Sequence, residues 1–170
     1  MKPIILNDTN RIEYVVAKHF NWRQNVIVPN ISWGMGLRYE ADVVILRPSG
    51  YASEIEIKTS KSDLKADLKK WHKHESNLFR QLYFAIPERL KDCVDIIPEK
   101  AGILLIEDKW MLAKLIRRAI INKAAIQWSL SQRQKLLNLA AMRIWDLKIT
   151  RYNLETQLKR DWKHDKDSKL

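Results

Sequence analysis

Residues 41–60 read ADVVILRPSGYASEIEIKTS, and this stretch decides the fold. Ala41–Leu46 is apolar and β-branched, whereas Tyr51–Lys58 alternates apolar with polar residues, so each run is a predicted strand. Residues 47–50 (RPSG) between them have the composition of a tight turn. The stretch therefore predicts a β-hairpin.

The length of the turn predicts which residues face each other across the hairpin. If residues 48–50 form a three-residue loop, the numbers of paired residues sum to 98, and Asp42 lies opposite Glu56. Direct partners have Cβ atoms about 5 Å apart on the same face. Two carboxylates at that distance repel each other unless a positive charge lies between them, and a hard divalent cation would provide it. Lys58 points to the same side, where it could contact a phosphate or position an attacking water.

The elements around the hairpin complete an α/β pattern. The first hundred residues predict a helix beginning at Asp8 or Thr9, a strand within Gln24–Trp33, the hairpin, a helix from Ser62 to about His74, and strands over Leu78–Ile86 and Gly102–Ile106. No Pro or Gly follows Gly102, which favours helices over Lys109–Gln127, Ser131–Leu147 and Tyr152–Trp162. We therefore expect a core over residues 1–108 and a helical extension over 109–170, packed on the core and frayed after about residue 163.

The charge of the chain favours a polyanionic partner. Lys and Arg number 31 against 20 Asp and Glu, a net charge of +11. Residues 1–110 have a net charge of +2 and residues 111–170 a net charge of +9. Such a field suits nucleic acid, although a well-solvated helical surface explains it equally well.

Several other classes of protein are excluded. The single Cys93 rules out an intramolecular disulfide framework and a Cys-rich zinc site. The longest apolar runs fall far short of the ~20 residues of a membrane span, and the N-terminus does not resemble a secretory signal. We expect a cytoplasmic protein with no membrane partner. His72 and His74 would lie ~200° apart on a helix, which makes them a poor pair of metal ligands.

Asp42 together with Glu56-Ile57-Lys58 resembles the motif of the PD-(D/E)XK nuclease superfamily, although Ala41 stands where that motif has Pro. The order of the predicted elements also resembles the αβββαβ core of these restriction-endonuclease-like proteins. A closer likeness, to bacterial DNA-repair proteins of the MmcB type, rests on residues 56–60, Asp63, Asp67, Lys69, 83–87 and 102–104. The resemblance implies a mixed central sheet.

The resemblance also implies a metal-dependent phosphodiesterase. Asp42, Glu56 and the backbone carbonyl of Ile57 would hold Mg²⁺, for which Mn²⁺ could substitute, and Glu13 would be a further acid from the first helix. Lys58 would orient or deprotonate water and offset charge in the transition state. Glu40 and Glu54 share the face but match no family position.

Two basic surfaces are candidates for binding DNA. Lys61, Lys65, Lys69 and Lys73 repeat every four residues on the second predicted helix, and Arg133 and Lys135 begin the extension. The lysine stripe is equally compatible with a solvated face balanced by Asp63 and Asp67. The extension could clamp nucleic acid, form a homodimer or cover the sheet, and the sequence does not decide among these roles.

Three functions follow from these patterns. The first is a Mg²⁺-dependent deoxyribonuclease acting in repair, recombination or phage DNA processing. The second is a non-catalytic nucleic-acid-binding or assembly module that keeps the nuclease fold, and the third is an enzyme that cuts RNA. On its own, the alternation of residues 54–58 would also fit a half-buried strand with a solvated face.

Overall fold

The fold is a six-stranded mixed sheet with helices on both faces. The computed structural model describes residues 8–32, 35–37, 39–67, 74, 76–107 and 109–167. The elements are α1 (Asp8–His19), β1 (Val26–Ile31), β2 (Ala41–Leu46), β3 (Ala52–Ile57), α2 (Lys61–Asp67), β4 (Phe79–Pro87), a 3-10 helix (Glu88–Ile96), β5 (Gly102–Glu107), β6 (Leu112–Arg117) and α3 (Leu130–Asp167).

The strands lie in the sheet in the order in which they occur in the chain. β1, β2 and β3 are antiparallel neighbours, β3, β4 and β5 run parallel, and β6 closes the sheet as an antiparallel edge. The parallel connections need crossovers, and α2 and the 3-10 helix lie in them. This architecture confirms the predicted α/β class with a mixed central sheet and a C-terminal helical extension.

The register of the β2–β3 hairpin is the predicted one. Val43 pairs with Ile55 and Val44 with Glu54, so the numbers of paired residues sum to 98. Gly50 closes the turn with φ +83°, a backbone conformation that residues with a side chain rarely adopt. Its N–H donates a hydrogen bond to the carbonyl of Arg47 at 2.8 Å. The loop therefore sets which side chains of β3 share a face.

The two faces of the sheet have different coverings. On one face α1 inserts Ile12, Val15 and Val16 against Val43 and Ile55. On the other face β3 presents Glu54 and Glu56, followed by Lys58, and these side chains are 0, 1 and 3% exposed. The interpretation of this strand as half-buried with a solvated face is therefore wrong.

The predicted helix over Lys109–Gln127 does not form. Leu112–Arg117 is instead strand β6, which pairs with β5 over Ile103–Glu107. The Arg117 guanidinium donates to the carbonyls of Ala101 and Pro98 at 2.8 and 2.7 Å, which fixes the end of the strand. Pairing with an open sheet edge outweighs the helix propensity of these residues, so the sheet continues past the predicted boundary at residue 108.

The two helices predicted over Ser131–Leu147 and Tyr152–Trp162 are one continuous helix, α3, because nothing in this part of the chain breaks it. α3 extends to Asp167, and the predicted fraying after about residue 163 stays a prediction. Among the residues described, no helix is both long and apolar enough to span a membrane.

Trp128 anchors the start of α3 to the sheet. Its side chain is 1% exposed and its indole N–H donates to the carbonyl of Leu78 at 2.8 Å. Leu136, two turns into α3, is fully buried in the same cluster with Val44 and Phe79. The first part of the extension thus covers the sheet, which is one of the three roles left open by the sequence.

Candidate active site

The site is built on β3 and the residue just beyond it. Residues two apart on a strand point to the same side, so Glu54, Glu56 and Lys58 form one line on a single face. The Lys58 N–H donates to the carbonyl of Ala85 on β4 at 3.1 Å, which continues the strand geometry past Ile57. These polar side chains are buried, and Tyr39, Asp67 and His74 lie against them.

The Lys58 ammonium is the hub of this cluster. Its Nζ lies 2.6 Å from Glu56 Oε2, 3.1 Å from Asp67 Oδ1 and 3.9 Å from Asp42 Oδ2. Burial lowers the pKa of Lys58, but the carboxylates of Glu56, Asp42 and Asp67 outweigh it and raise the pKa above its usual range. Lys58 is therefore a fixed cation at neutral pH.

Asp42 forms the outer edge of the cluster. Its side chain is 33% exposed, and Oδ2 accepts a hydrogen bond from the backbone N–H of Ile57 at 2.7 Å. This bond holds the carboxylate across the hairpin, next to Lys58. The structure thus brings together Asp42, Glu56 and Lys58, the three residues of the predicted motif.

Glu13 approaches from α1 and is only partly buried. Burial raises the pKa of Glu13, the charge of Asp42 raises it further, and Arg143 of α3 lowers it. Glu13 is therefore close enough to Asp42 to respond to its charge. Its part in a metal site stays a prediction.

His74 and Asp67 belong to the cluster, although the sequence analysis assigned neither of them to the site. Asp67 is 4% exposed, so its predicted place on a solvated face, balancing the lysines of the second helix, is wrong. His74 Nε2 lies 2.8 Å from Asp67 Oδ2, and Nδ1 lies 3.2 Å from Glu54 Oε1. The predicted helix reaches only Asp67 among the described residues, and His74 has φ +51°, which is not helical, so helical spacing could not have predicted this contact. His72, the other member of the predicted poor pair, lies outside the described residues.

Glu54 also belongs to the cluster, although it matches no position of the family motif. Its Oε2 accepts a hydrogen bond from the Tyr39 hydroxyl at 3.1 Å, while Oε1 faces His74. Burial and the Glu54 charge raise the pKa of Tyr39, so the hydroxyl stays a donor. Glu54 is thus held on both oxygens.

The surrounding charges shift two further groups. Burial raises the pKa of Glu56, Lys58 lowers it and Glu54 raises it again, with a net increase. Burial lowers the pKa of His74, but hydrogen bonds to Asp67 and Glu54 and the charges of Glu54 and Glu56 raise it to about 9. His74 is therefore an imidazolium at neutral pH in the metal-free protein.

Three of the buried side chains could hold a metal ion. Within the described part of the chain, Glu54, Glu56 and His74 are the one group of His, Cys, Asp or Glu side chains whose ligand atoms all lie within 4.8 Å of each other. Asp42 is not a member of that group. Asp42 and Glu56 instead each place a carboxylate oxygen within 4 Å of the Lys58 ammonium.

The predicted DNA-binding residues have different surroundings. Lys61 and Lys65 are exposed on α2, and Lys135 is exposed on α3. Arg133 is partly buried, and its Nε donates to the carbonyl of Trp128 at 2.8 Å, which gives it a structural contact. Lys69 and Lys73 lie outside the described residues.

The positive charge of the C-terminal third is concentrated near the sheet. Residues 111–143 hold seven Lys and Arg and no Asp or Glu, whereas residues 144–170 have a net charge of only +2. The first segment contains β6 and the anchored part of α3. A polyanion would therefore be attracted to the body of the protein more than to the far end of α3.

Comparison with known proteins agrees with this architecture. The model of a family described as "DNA repair protein MmcB-like" matches residues 7–151. Among solved structures, the SPO1766 protein of unknown function from Silicibacter pomeroyi is 25% identical, with a TM-score of 0.63 over 87% of this chain and 94% of its own. AF1548, also of unknown function, is 19% identical, with a TM-score of 0.33 over 58% of this chain and 57% of its own. No curated protein matches the chain.

Proposed function

The chain belongs to the MmcB-like family of DNA repair proteins, and from this membership and the site on β3 we propose that it is a Mg²⁺-dependent deoxyribonuclease. The observation that carries the proposal is the position of the Lys58 ammonium, within 4 Å of carboxylate oxygens from both Asp42 and Glu56. Two acids and a lysine on one hairpin face could hold a metal ion and place a positive charge beside it, which suits metal-assisted phosphodiester hydrolysis.

The residues present fit a hard divalent cation. The Asp42 and Glu56 carboxylates converge from two paired strands, and oxygen is the ligand that Mg²⁺ prefers. Asp42, Glu56 and the backbone carbonyl of Ile57 would hold the ion, with Glu13 as a further acid and Mn²⁺ as a substitute metal. When bound, the ion would polarise a phosphoryl oxygen and lower the pKa of a bound water.

The side chains of this chain would supply positioning and charge. Lys58 stays protonated because three carboxylates surround it, so it would orient water and offset negative charge in the transition state. Asp42 is the most exposed carboxylate of the cluster and would face the incoming phosphate. Lys61 and Lys65 lie on the exposed side of α2, where they would contact the DNA backbone.

A digest with matched variants tests this proposal. Single-stranded, duplex and branched DNA, together with RNA, are incubated with the wild-type chain in Mg²⁺, Mn²⁺ or EDTA. We expect cleavage of at least one form of DNA that requires the metal. Asp42→Asn should lower the rate at least about 100-fold, while Asp63→Asn, an exposed acid on α2, should leave it unchanged.

The same digest separates the alternatives. Cleavage in EDTA, or full activity of Asp42→Asn, would refute the proposed mechanism. Cleavage of RNA alone would indicate an RNA-cutting enzyme with the same chemistry. Salt-sensitive DNA binding without turnover would favour the non-catalytic module.

A further inference from the structure

Glu54, Glu56 and His74 meet behind the Asp42–Lys58 pair. His74 Nδ1 lies 3.2 Å from Glu54 Oε1 and 3.7 Å from Glu56 Oε1. All three side chains are at most 3% exposed. One nitrogen and two oxygen atoms thus face a common point inside the protein.

The spacing of these atoms matches that of ligands around a tetrahedral metal. Metal–ligand bonds of about 2.1 Å place neighbouring ligand atoms of a tetrahedron about 3.4 Å apart. The two separations from Nδ1 lie on either side of that value, so small side-chain movements would suffice to hold an ion. Three protein ligands would leave a fourth position open.

Asp67 orients the imidazole as metal sites require. It accepts the hydrogen bond from Nε2 at 2.8 Å, which leaves Nδ1 to face the two glutamates. Metal-bound histidines commonly donate their other ring N–H to a carboxylate in this way, and that carboxylate fixes the ring and its tautomer. In the Asp67–His74 pair, His74 would therefore bind the metal directly, and Asp67 would hold the imidazole in place from its far side.

The charges also favour a divalent cation. The three buried carboxylates of Glu54, Glu56 and Asp67 carry three negative charges. Among the described residues, Lys58 is the only buried Lys or Arg, and it lies beside them. With His74 neutral, a divalent ion would bring this set to zero net charge.

A cavity adjoins this cluster. Its volume is about 590 Å³, and its lining includes Glu54, His74, Arg80, Gln81 and Asn122. Glu54 and His74 form part of its wall, whereas Asp42 is not among the residues that line it. An ion could therefore approach from the cavity, on a route separate from Asp42.

We propose that Glu54, Glu56 and His74 form a second metal site, selective for a divalent transition metal such as Zn²⁺. Imidazole is a ligand that Zn²⁺ accepts and Mg²⁺ rarely uses, so the His74 nitrogen separates this site from the oxygen-only site at Asp42. Glu56 is shared between them, with Oε2 toward Lys58 and Oε1 toward His74. The inference does not require the chain to be a nuclease.

A spectroscopic titration tests the second site without measuring activity. Metal-free full-length protein is titrated with Co²⁺, whose visible absorption reports tetrahedral coordination, and Zn²⁺ is then added as competitor. We expect one equivalent of Co²⁺ to bind and to be displaced by Zn²⁺. His74→Gln and Glu54→Gln should each weaken binding at least 100-fold, and Asp67→Asn should weaken it about 10- to 100-fold.

Asp42→Asn is the matched control, because it removes the predicted Mg²⁺ ligand and leaves these three residues in place. It should bind Co²⁺ like the wild type even when it no longer cuts DNA. Failure of wild-type protein to bind Co²⁺, or unchanged binding by a folded His74→Gln or Glu54→Gln variant, would overturn the second site. If Asp42→Asn stops cutting DNA but still binds Co²⁺, the second site is supported and the loss of cleavage belongs to the Asp42 site.

Discussion

Lys58 and Glu56 form a buried ion pair, with 2.6 Å between Nζ and Oε2 and side chains that are 4 and 1% exposed. The residues expected to perform the chemistry are thus also a charged part of the protein interior. Removing one partner of such a pair leaves the other buried without compensation. Stability and activity must therefore be measured together for every variant of this site.

Lys58→Met should destabilise the fold strongly. The variant leaves Glu56 and Asp67 as buried carboxylates without the ammonium that lies 2.6 and 3.1 Å away. Breaking a buried pair costs about 3–5 kcal/mol. Urea denaturation in EDTA measures this loss in the free energy of unfolding.

The double variant Lys58→Met with Glu56→Gln controls for the uncompensated charge. It should recover part of the loss, because the second change removes a buried charge as well. A double variant whose destabilisation equals the sum of the two single variants would show that the residues are not coupled.

The stability of the metal-free protein should fall as the pH rises from 6.5 to 9. The pKa of His74 is raised from 6.5 to about 9, so its contribution is fully present below pH 6.5 and is lost as pH passes through the folded-state value. The whole shift corresponds to about 3 kcal/mol. The charged groups facing His74 are Glu54, Glu56 and Asp67.

Thermal unfolding of wild type and His74→Gln in EDTA, compared across this range, measures the effect. The gap between the two proteins should narrow toward pH 9. A gap that does not change with pH would contradict the imidazolium in the cluster.

Trp128→Ala should destabilise the junction between the sheet and α3. The indole is almost completely buried, packs against Phe79 and donates to the carbonyl of Leu78. Truncating a buried Trp costs about 3–5 kcal/mol. Urea denaturation should show this loss, whereas Trp145→Ala, where the residue is 63% exposed, should change stability by less than about 0.5 kcal/mol.

Lys61→Ala and Lys65→Ala should weaken DNA binding through the phosphate backbone. Both side chains are exposed on α2, the helix that ends at Asp67. Each lost phosphate contact should reduce the slope of log affinity against log salt by about 1 and affect all sequences alike. Fluorescence anisotropy at several salt concentrations measures the slope.

Lys18→Ala is the control for that experiment. Lys18 is also exposed, but it lies on α1, which covers the opposite face of the sheet. An equal effect of all three substitutions would mean that α2 is not a specific DNA contact.

The hairpin and its acids could be predicted because they depend on local information. A three-residue loop fixes the register, and the register fixes that Asp42 and Glu56 share a face. The fold class followed from the order of the elements. The burial of Glu54 could not be predicted, because it results from covering by parts of the chain far from residues 52–58.

Strand β6 could not be predicted from local propensity. The sequence LAKLIR at Leu112–Arg117 contains good helix formers, and its strand conformation comes from pairing with β5. This correction also changes how the extension must be tested. A truncation at residue 111 would remove β6 and Trp128. A truncation after residue 143 keeps both of them and the buried Leu136, and it removes the stretch 144–155, whose side chains are exposed, together with all that follows.

The proposed metal site at Asp42 can be tested most directly by locating the ion. Crystals of the wild-type chain soaked in Mn²⁺ would be measured for anomalous scattering. The proposed function predicts a peak bonded to carboxylate oxygens of both Asp42 and Glu56, and no such peak in crystals of Asp42→Asn. A wild-type map without density between these two carboxylates, at saturating Mn²⁺, would contradict it.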